Sequence, residues 1–258
     1  MFVDYEKLKT DIIGKSIPKP LSGTLSGHAA GEPFDKFVNQ LIKNQYPEDT
    51  YRQYEYLNSL FSKNKDAKTV EARNNLFESP TILFLLDRGK SAVEKWTFDN
   101  PFEEKQNDTA DILVTRNKKF ELIDVKTKNL GKNAQAPNII SAFKLAQTCA
   151  KMIDNNDFDL FDINYFQVDW ELCGEKLICK NAFSAELFKS PPEELYINWA
   201  AAMQIQFHVD ELNQTFKNSR EQWARNYLKH FTTQARKRSE MMIEKFVKPF
   251  EKYIAETT

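Results

Sequence analysis

Asp111-Ile112-Leu113-Val114, the link Arg116-Asn117-Lys118-Lys119 and the run Glu121-Leu122-Ile123-Asp124-Val125-Lys126 form the stretch on which the fold turns. Two apolar runs joined by a short polar connection read as the strands of a tight hairpin, with Asn117 suited to a positive φ in the turn. If Asn117 and Lys118 are the loop residues, antiparallel pairing sets Asp111 directly across from Asp124. Side chains alternate along a strand, so Leu122, Asp124 and Lys126 share one face and Asp111 joins it from the partner strand. Ile112, Val114, Ile123 and Val125 fall on the other face, which is expected to be uniformly apolar and buried. Like charges directly opposite destabilise a strand pair unless a cation or Lys126 lies between them. Such a local conflict is expected of a functional site.

Two aspartates and a lysine at this spacing are the minimal kit for metal-assisted cleavage of a phosphodiester. Aspartate oxygens suit Mg²⁺, a small hard ion that keeps several waters and shares its remaining positions with a phosphate. Zinc would want His or Cys ligands, and none lies nearby in sequence. In the catalytic reading Asp111, Asp124 and the carbonyl of Val125 hold Mg²⁺, and Lys126 orients a water and stabilises charge developing on phosphate. In the alternative, this is a solvated hairpin face on which Lys126 neutralises two acids. Charged residues make up 28% of the chain, so such triplets also arise without function.

Upstream, Glu32-Pro33 is read as the start of a helix with Phe34, Phe37, Val38, Leu41 and Ile42 at helical spacing, Pro33 taking a first helical position. The preceding Ser22 to Gly31 concentrates three of the seven glycines, but no Gly-Lys-Ser/Thr ending makes it a phosphate loop for ATP. Such a stretch suits close approach of backbone amides to DNA phosphates, or serves as a plain connector. Residues 50 to 95 read as mostly helical, broken at Ser79-Pro80, with Arg88-Gly89-Lys90 in a turn. After the hairpin, Lys128 to Asn138 is a polar loop expected to end at a helix with Pro137 near its start. Ile140, Phe143, Ala146, Cys149, Ala150 and Ile153 are the expected apolar side of that helix. Ile163 to Leu172 and Lys176 to Cys179 read as a hairpin about Gly174. Tyr196 to Trp199 and Met203 to Val209 read as strand, with Gln204, Gln206 and His208 on a polar face; amides so placed can enter the major groove. His208 is read as hydrogen-bonded structure rather than a general base. Ser219-Arg220-Glu221-Gln222 is a capping-box pattern opening a long last helix to Pro249, and its Lys229, His230, Arg236, Lys237 and Arg238 are suited to phosphate contact.

With 258 residues and 41% hydrophobic content the chain can bury a substantial core, and no internal repeat is found. A net charge of −1 argues against a nonspecific nucleic-acid coat protein rather than against a site-specific enzyme, because local basic surface survives a neutral total. Cys149, Cys173 and Cys179 form no C-x-x-C pair and suit a reducing cytoplasm as buried thiols. No leader pattern and no apolar stretch approaching ~18 residues indicates export or membrane spanning.

Asp111, Asp124 and Lys126 resemble the D…DxK core of the PD-(D/E)xK nuclease superfamily, with Ala110 where the superfamily's name puts proline. The stretches Ser22 to Phe34, Glu104 to Asp111, Ala134 to Ile140 and Tyr196 to His208 are similar to type II restriction endonucleases of that superfamily. The resemblance implies an α/β fold with a central mixed β-sheet flanked by helices and a long C-terminal helix. The chain would be a single domain over 1–258 with its catalytic hairpin near 108–128. It implies a Mg²⁺-dependent homodimer in the cytoplasm that cuts both strands of duplex DNA at the centre of GTYRAC, leaving blunt ends with 5′-phosphates. A methyltransferase is expected in the host, though not as a binding partner. Gln135 would enter the duplex with Ala134 beside it, Asn138 would contact DNA and Asn198 would read a base edge. Part of the specificity would then come from deformability of the central pyrimidine–purine step. Glu32 would back the metal site, although a glutamate in a first helical turn is also favoured by the helix dipole alone. Two other functions share these residues: a shape-selective repair or junction nuclease, and an inactive DNA-binding module.

Overall fold

In the computed structural model residues 2–19, 28–61, 66–86, 97, 101–103, 108–133 and 135–254 are described, with backbone alone at 28–32, 61 and 68. Residues 22–27 of the glycine-rich stretch, Arg88-Gly89-Lys90, residues 104–107 and Ala134 lie outside the described residues. The first elements are α1 (Tyr5–Ile12), β1 (Ser16–Pro18), α2 (His28–Gln45), β2 (Thr50–Tyr51), α3 (Gln53–Phe61), α4 (Ala67–Phe77) and α5 (Pro80–Leu86). There follow β3 (Ile112–Arg116), β4 (Lys119–Asn129), β5 (Asn138–Ser141), α6 (Ala142–Asn155), β6 (Phe161–Cys173) and β7 (Lys176–Glu186). The chain ends with β8 (Ile197–Asn198), β9 (Gln204–Gln206), α7 (Arg220–Met242), a π-helical turn (Ile243–Val247) and α8 (Lys248–Ile254).

β3 and β4 form the expected hairpin, with Ile112 opposite Ile123 and Arg116 opposite Lys119. Asn117 and Lys118 both take positive φ, 51° and 62°, the mirror-image turn whose twist matches its flanking strands. Six strands make a mixed sheet in the order β1-β7-β6-β4-β3-β2, in which only β4 and β6 run parallel. A parallel pair needs a crossover, and β5 with α6 supplies it. Leu113, Phe120, Leu122, Ile163 and Tyr165 pack one sheet face against α3, α5, α6 and α7. Ile112, Val114, Ile123, Val125, Phe166 and Val168 pack the other against α1 and α2. This is the mixed sheet with flanking helices and a long C-terminal helix anticipated from the sequence. No helix among the described residues is long and apolar enough to cross a membrane.

Several expectations are corrected. The second face of the hairpin is buried but not uniformly apolar, because Glu121 shares it at 0% exposure. Its carboxylate is satisfied by the N–H groups of Phe2 and Val3, the Tyr5 hydroxyl (2.7 Å) and the Asn164 amide (2.8 Å). α2 begins at His28, so Pro33 stands inside it rather than at its first position. Pro137 does not open α6: β5 intervenes, and Ser141 caps the helix by accepting from Lys144 N–H. The buried side of α6 is accordingly Ala142, Leu145, Ala146, Cys149 and Met152, while Phe143 is 49% exposed. Residues 196–209 hold two short strands, β8 and β9, which join β5 in a separate three-stranded sheet. The turn between them places Ala202 and Met203 at positive φ. Ser219 caps α7 through Gln222 N–H at 3.2 Å, but the Gln222 side chain turns to Asn226 and the reciprocal half of the capping box is not made. Cys173 is exposed and only Cys149 and Cys179 are buried thiols.

Candidate active site

Asp111 lies one residue ahead of β3, and extension of the strand register places it opposite Asp124. Its Oδ2 accepts the N–H of Val125 at 2.8 Å, and Lys126 Nζ stands 2.8 Å from Asp124 Oδ1. The three side chains therefore meet at the open end of the hairpin, on the face shared with Leu122. Burial pushes the Asp111 carboxyl up to about 7, and the charge of Asp124 adds to the shift against the pull of Lys126 and the Val125 N–H. Burial alone would lower Lys126; the carboxylates of Asp124 and Asp111 outweigh it and hold the ammonium above its ordinary value. The cluster thus carries a firmly charged lysine and more carboxylate than that lysine neutralises.

Such a set of hard oxygen donors fits a divalent cation such as Mg²⁺ and lacks the nitrogen or sulfur ligands that zinc prefers. Among the described residues no group of three or more His, Cys, Asp or Glu could hold a metal, so a cation at Asp111 and Asp124 would draw its remaining ligands from backbone, water or substrate.

Helices hold the segment that leads into the site. Gln53, 2% exposed at the start of α3, accepts the N–H groups of Thr109 (3.0 Å) and Ala110 (3.1 Å) with one oxygen, and its amide donates to Leu86 O and to Asp108. Lys144 of α6 donates to Leu85 O and to the Thr109 hydroxyl. Arg52 donates to the Asp111 carbonyl at 3.1 Å and to Asp35 of α2 at 2.9 Å. The charge of Asp35 in turn reaches Lys126. Sequence reasoning named none of these. Asp35 had a signal, standing three positions beyond Glu32 and so on the same side of the helix. The structure describes only the backbone of Glu32.

The polar face continues along the parallel pair. Gln167 of β6 lies beside Lys126 in register, and Asp169 beside Lys128. Gln167 donates to Asp169 (2.7 Å) and Asp210 (2.8 Å) and accepts Val209 N–H (2.7 Å), while Lys128 pairs with Asp210 at 3.0 Å. Asp210 lies just after β9, so these bonds tie the small sheet to the strand bearing Asp124 and Lys126.

The small sheet also brings together two of the residues expected to contact DNA. Asn198 of β8 donates to Gln206 Oε1 at 2.8 Å, and Gln206 donates to Asn138 Oδ1 at 2.7 Å. The Asn198 oxygen is itself fixed by the N–H groups of Ala200 and Ala201. Gln135 is exposed three residues before Asn138. His208 is buried ahead of a short 3₁₀ turn. Of the basic residues of α7, His230 is bonded to Leu195 O, whereas Arg236 and Lys237 are exposed.

The family model described as Restriction endonuclease HincII matches residues 8–254. The Type II restriction enzyme HindII of Haemophilus influenzae strain Rd is 63% identical over 250 residues, covering 97% of each chain. The Type II restriction enzyme HincII of Haemophilus influenzae is 62% identical over the same length, again covering 97% of both. A two-strand core carrying Asp111, Asp124 and Lys126 in a mixed sheet with flanking helices is thus accompanied by similarity over nearly the whole length, and the chain belongs to the HincII family of type II restriction endonucleases.

Proposed function

We propose that the chain, acting as one domain and as a homodimer in the cytoplasm, is a Mg²⁺-dependent endonuclease that cuts both strands of duplex DNA at the centre of GTYRAC. Blunt ends with 5′-phosphates and 3′-hydroxyls are the products. The observation that carries this reading is Asp111 facing Asp124 with Lys126 against them, two acids crowded on one face whose mutual repulsion a divalent cation would relieve. Asp111, Asp124 and the Val125 carbonyl would hold the ion. When bound, it polarises the scissile phosphate and lowers the pKa of a coordinated water.

The chain's own groups do the rest. Lys126, held charged by its neighbours, orients the attacking water and stabilises negative charge on the phosphate oxygens. Arg52 and Gln53 fix the backbone that aims Asp111. The target sequence is the one that family resemblance implies. Gln135, with Ala134 beside it, enters the duplex and strains its stacking, Asn138 contacts DNA, and Asn198 reads a base edge. Glu32 supports the metal site from α2.

The test is digestion of a sequenced plasmid by purified protein in Mg²⁺ and, separately, in EDTA, followed by sequencing of the fragment ends. Discrete blunt ends at GTYRAC in Mg²⁺ alone are expected. A smear without discrete bands would point to a shape-selective nuclease, and retardation without cutting to a DNA-binding module.

A further inference from the structure

Among the described residues of one copy of the chain, none buries the distal part of the C-terminal helix. In α7 the buried residues are Trp223, Ala224 and Tyr227, and neither the π turn nor α8 buries any. Every residue from 239 to 254 is exposed, a length of roughly 24 Å at 1.5 Å per residue. An isolated helix of this length is marginal in water even with favourable composition.

This extension is also strongly two-faced. Met242, Phe246 and Phe250 recur at intervals of four, flanked by Ile243, Val247 and Tyr253, and these side chains are 46% to 67% exposed. Glu244 and Lys248 pair with each other on the opposite side. Four residues overshoot one α-helical turn by ~40°, so an interval of four would wind round a regular helix. The π turn at Ile243–Val247 is wider than an α turn and takes up part of that drift. Pro249, which has no N–H to give Lys245 and crowds its carbonyl, stands just beyond the turn and accounts for it locally. Backbone irregularity and apolar spacing thus act together to align one stripe.

We propose that this stripe, centred on Phe246 and Phe250, is a twofold interface with a second copy of the chain. The proposal rests on the homodimer in the reading above and names the surface that makes it. Half-exposed side chains of this size offer about 100 Å² apiece, so these six present on the order of 600 Å². A standard interface buries about 800 Å² per partner, and patches this large are unusual on a monomer. A surface on one helix can meet its own copy about a twofold axis, the symmetry that a near-palindromic duplex requires of its reader.

The experiment is sedimentation equilibrium of the full chain without DNA or metal, so that its outcome is independent of cleavage. Wild-type protein is expected at twice its 30.1 kDa mass. Phe246→Glu/Phe250→Glu and, independently, Met242→Lys/Tyr253→Lys are expected to raise the dimer dissociation constant by about 100-fold or more, with circular dichroism and melting of the body retained. Glu244→Ala/Lys248→Ala on the opposite side should leave the dimer intact. A monomeric wild type, or dimers undisturbed in both stripe variants, would overturn the proposal. Cleavage failing in a dimeric wild type would instead count against the nuclease reading alone.

Discussion

The N–H of Ala110 donates to Gln53 Oε1 at 3.1 Å, so the residue just ahead of Asp111 is anchored by a buried side chain of the neighbouring helix. The superfamily motif carries proline at this place, which restricts the backbone through its ring and has no N–H to give. Here the same oxygen also takes the Thr109 N–H, and the approach to Asp111 is fixed by two hydrogen bonds.

Installing the motif's proline is therefore expected to harm this protein. Ala110→Pro should cost about 1 kcal/mol or more in urea unfolding through the lost bond, and should lower cleavage rather than raise it. In a Gln53→Ala background the proline should cost measurably less, because the bond is already gone. Equal costs in the two backgrounds would show that Gln53 does not position Ala110.

In the proposed mechanism Lys126 serves chemistry rather than binding. Its ammonium stands 2.8 Å from Asp124 and its side chain is only 19% exposed. Lys126→Met should reduce single-turnover cleavage on the order of 10³-fold, with GTYRAC affinity changed only about threefold in retardation assays. A parallel fall in affinity and rate would make the lysine a binding residue instead.

Asp111 makes the stability of the metal-free protein depend on pH in an unusual direction. Its carboxyl is raised to about 7 by burial and by Asp124, so the folded state holds a proton that the unfolded chain releases near the ordinary aspartate value. This group's contribution to stability falls as pH rises from about 4 and levels off above about 7. Asp111→Asn keeps an acceptor for Val125 N–H and removes the charge. It should be more stable than wild type in EDTA at pH 8 by roughly 2 to 4 kcal/mol, with the advantage vanishing toward pH 4. The same substitution should abolish Mg²⁺-dependent cleavage. A difference in melting temperature that is constant across this range would contradict the buried, charge-crowded carboxyl.

The hairpin was legible in the sequence because strand period and turn chemistry agree there. Asn117 marks the turn, alternation assigns the faces, and the register of Asp111 with Asp124 follows from a two-residue loop. Glu121 should have been caught by the same alternation, since it shares parity with Ile123 and Val125; its partners Phe2, Val3 and Tyr5 lie more than a hundred residues away and leave no local trace. Gln53, Arg52 and Asp35 escaped for that reason too, as each reaches the site from a segment distant in sequence. Pro137 misled because proline before an apolar helix resembles a helix start, whereas pairing of Asn138 and Ser141 with β9 claims those residues for a strand.

Gln206 is expected to matter to specificity although it was read only as one polar position on a strand. It accepts from Asn198 and donates to Asn138, adding to the hold that the Ala200 and Ala201 N–H groups already have on the first amide and occupying the oxygen of the second. A base edge distinguishes donors from acceptors, so an amide free to flip presents the wrong group part of the time. Gln206→Leu removes both bonds and should weaken discrimination of GTYRAC from singly altered sites on the order of tenfold. It changes no charge, so nonspecific affinity and its salt dependence should remain as in wild type. Gln206→Glu divides the two contacts, because a carboxylate still accepts from Asn198 but cannot donate to Asn138. If Asn198 alone needs fixing, the glutamate variant will keep its discrimination while the leucine variant loses it. If the whole chain of amides is required, both will lose it, and unchanged site preference in both would remove Gln206 from the recognition surface.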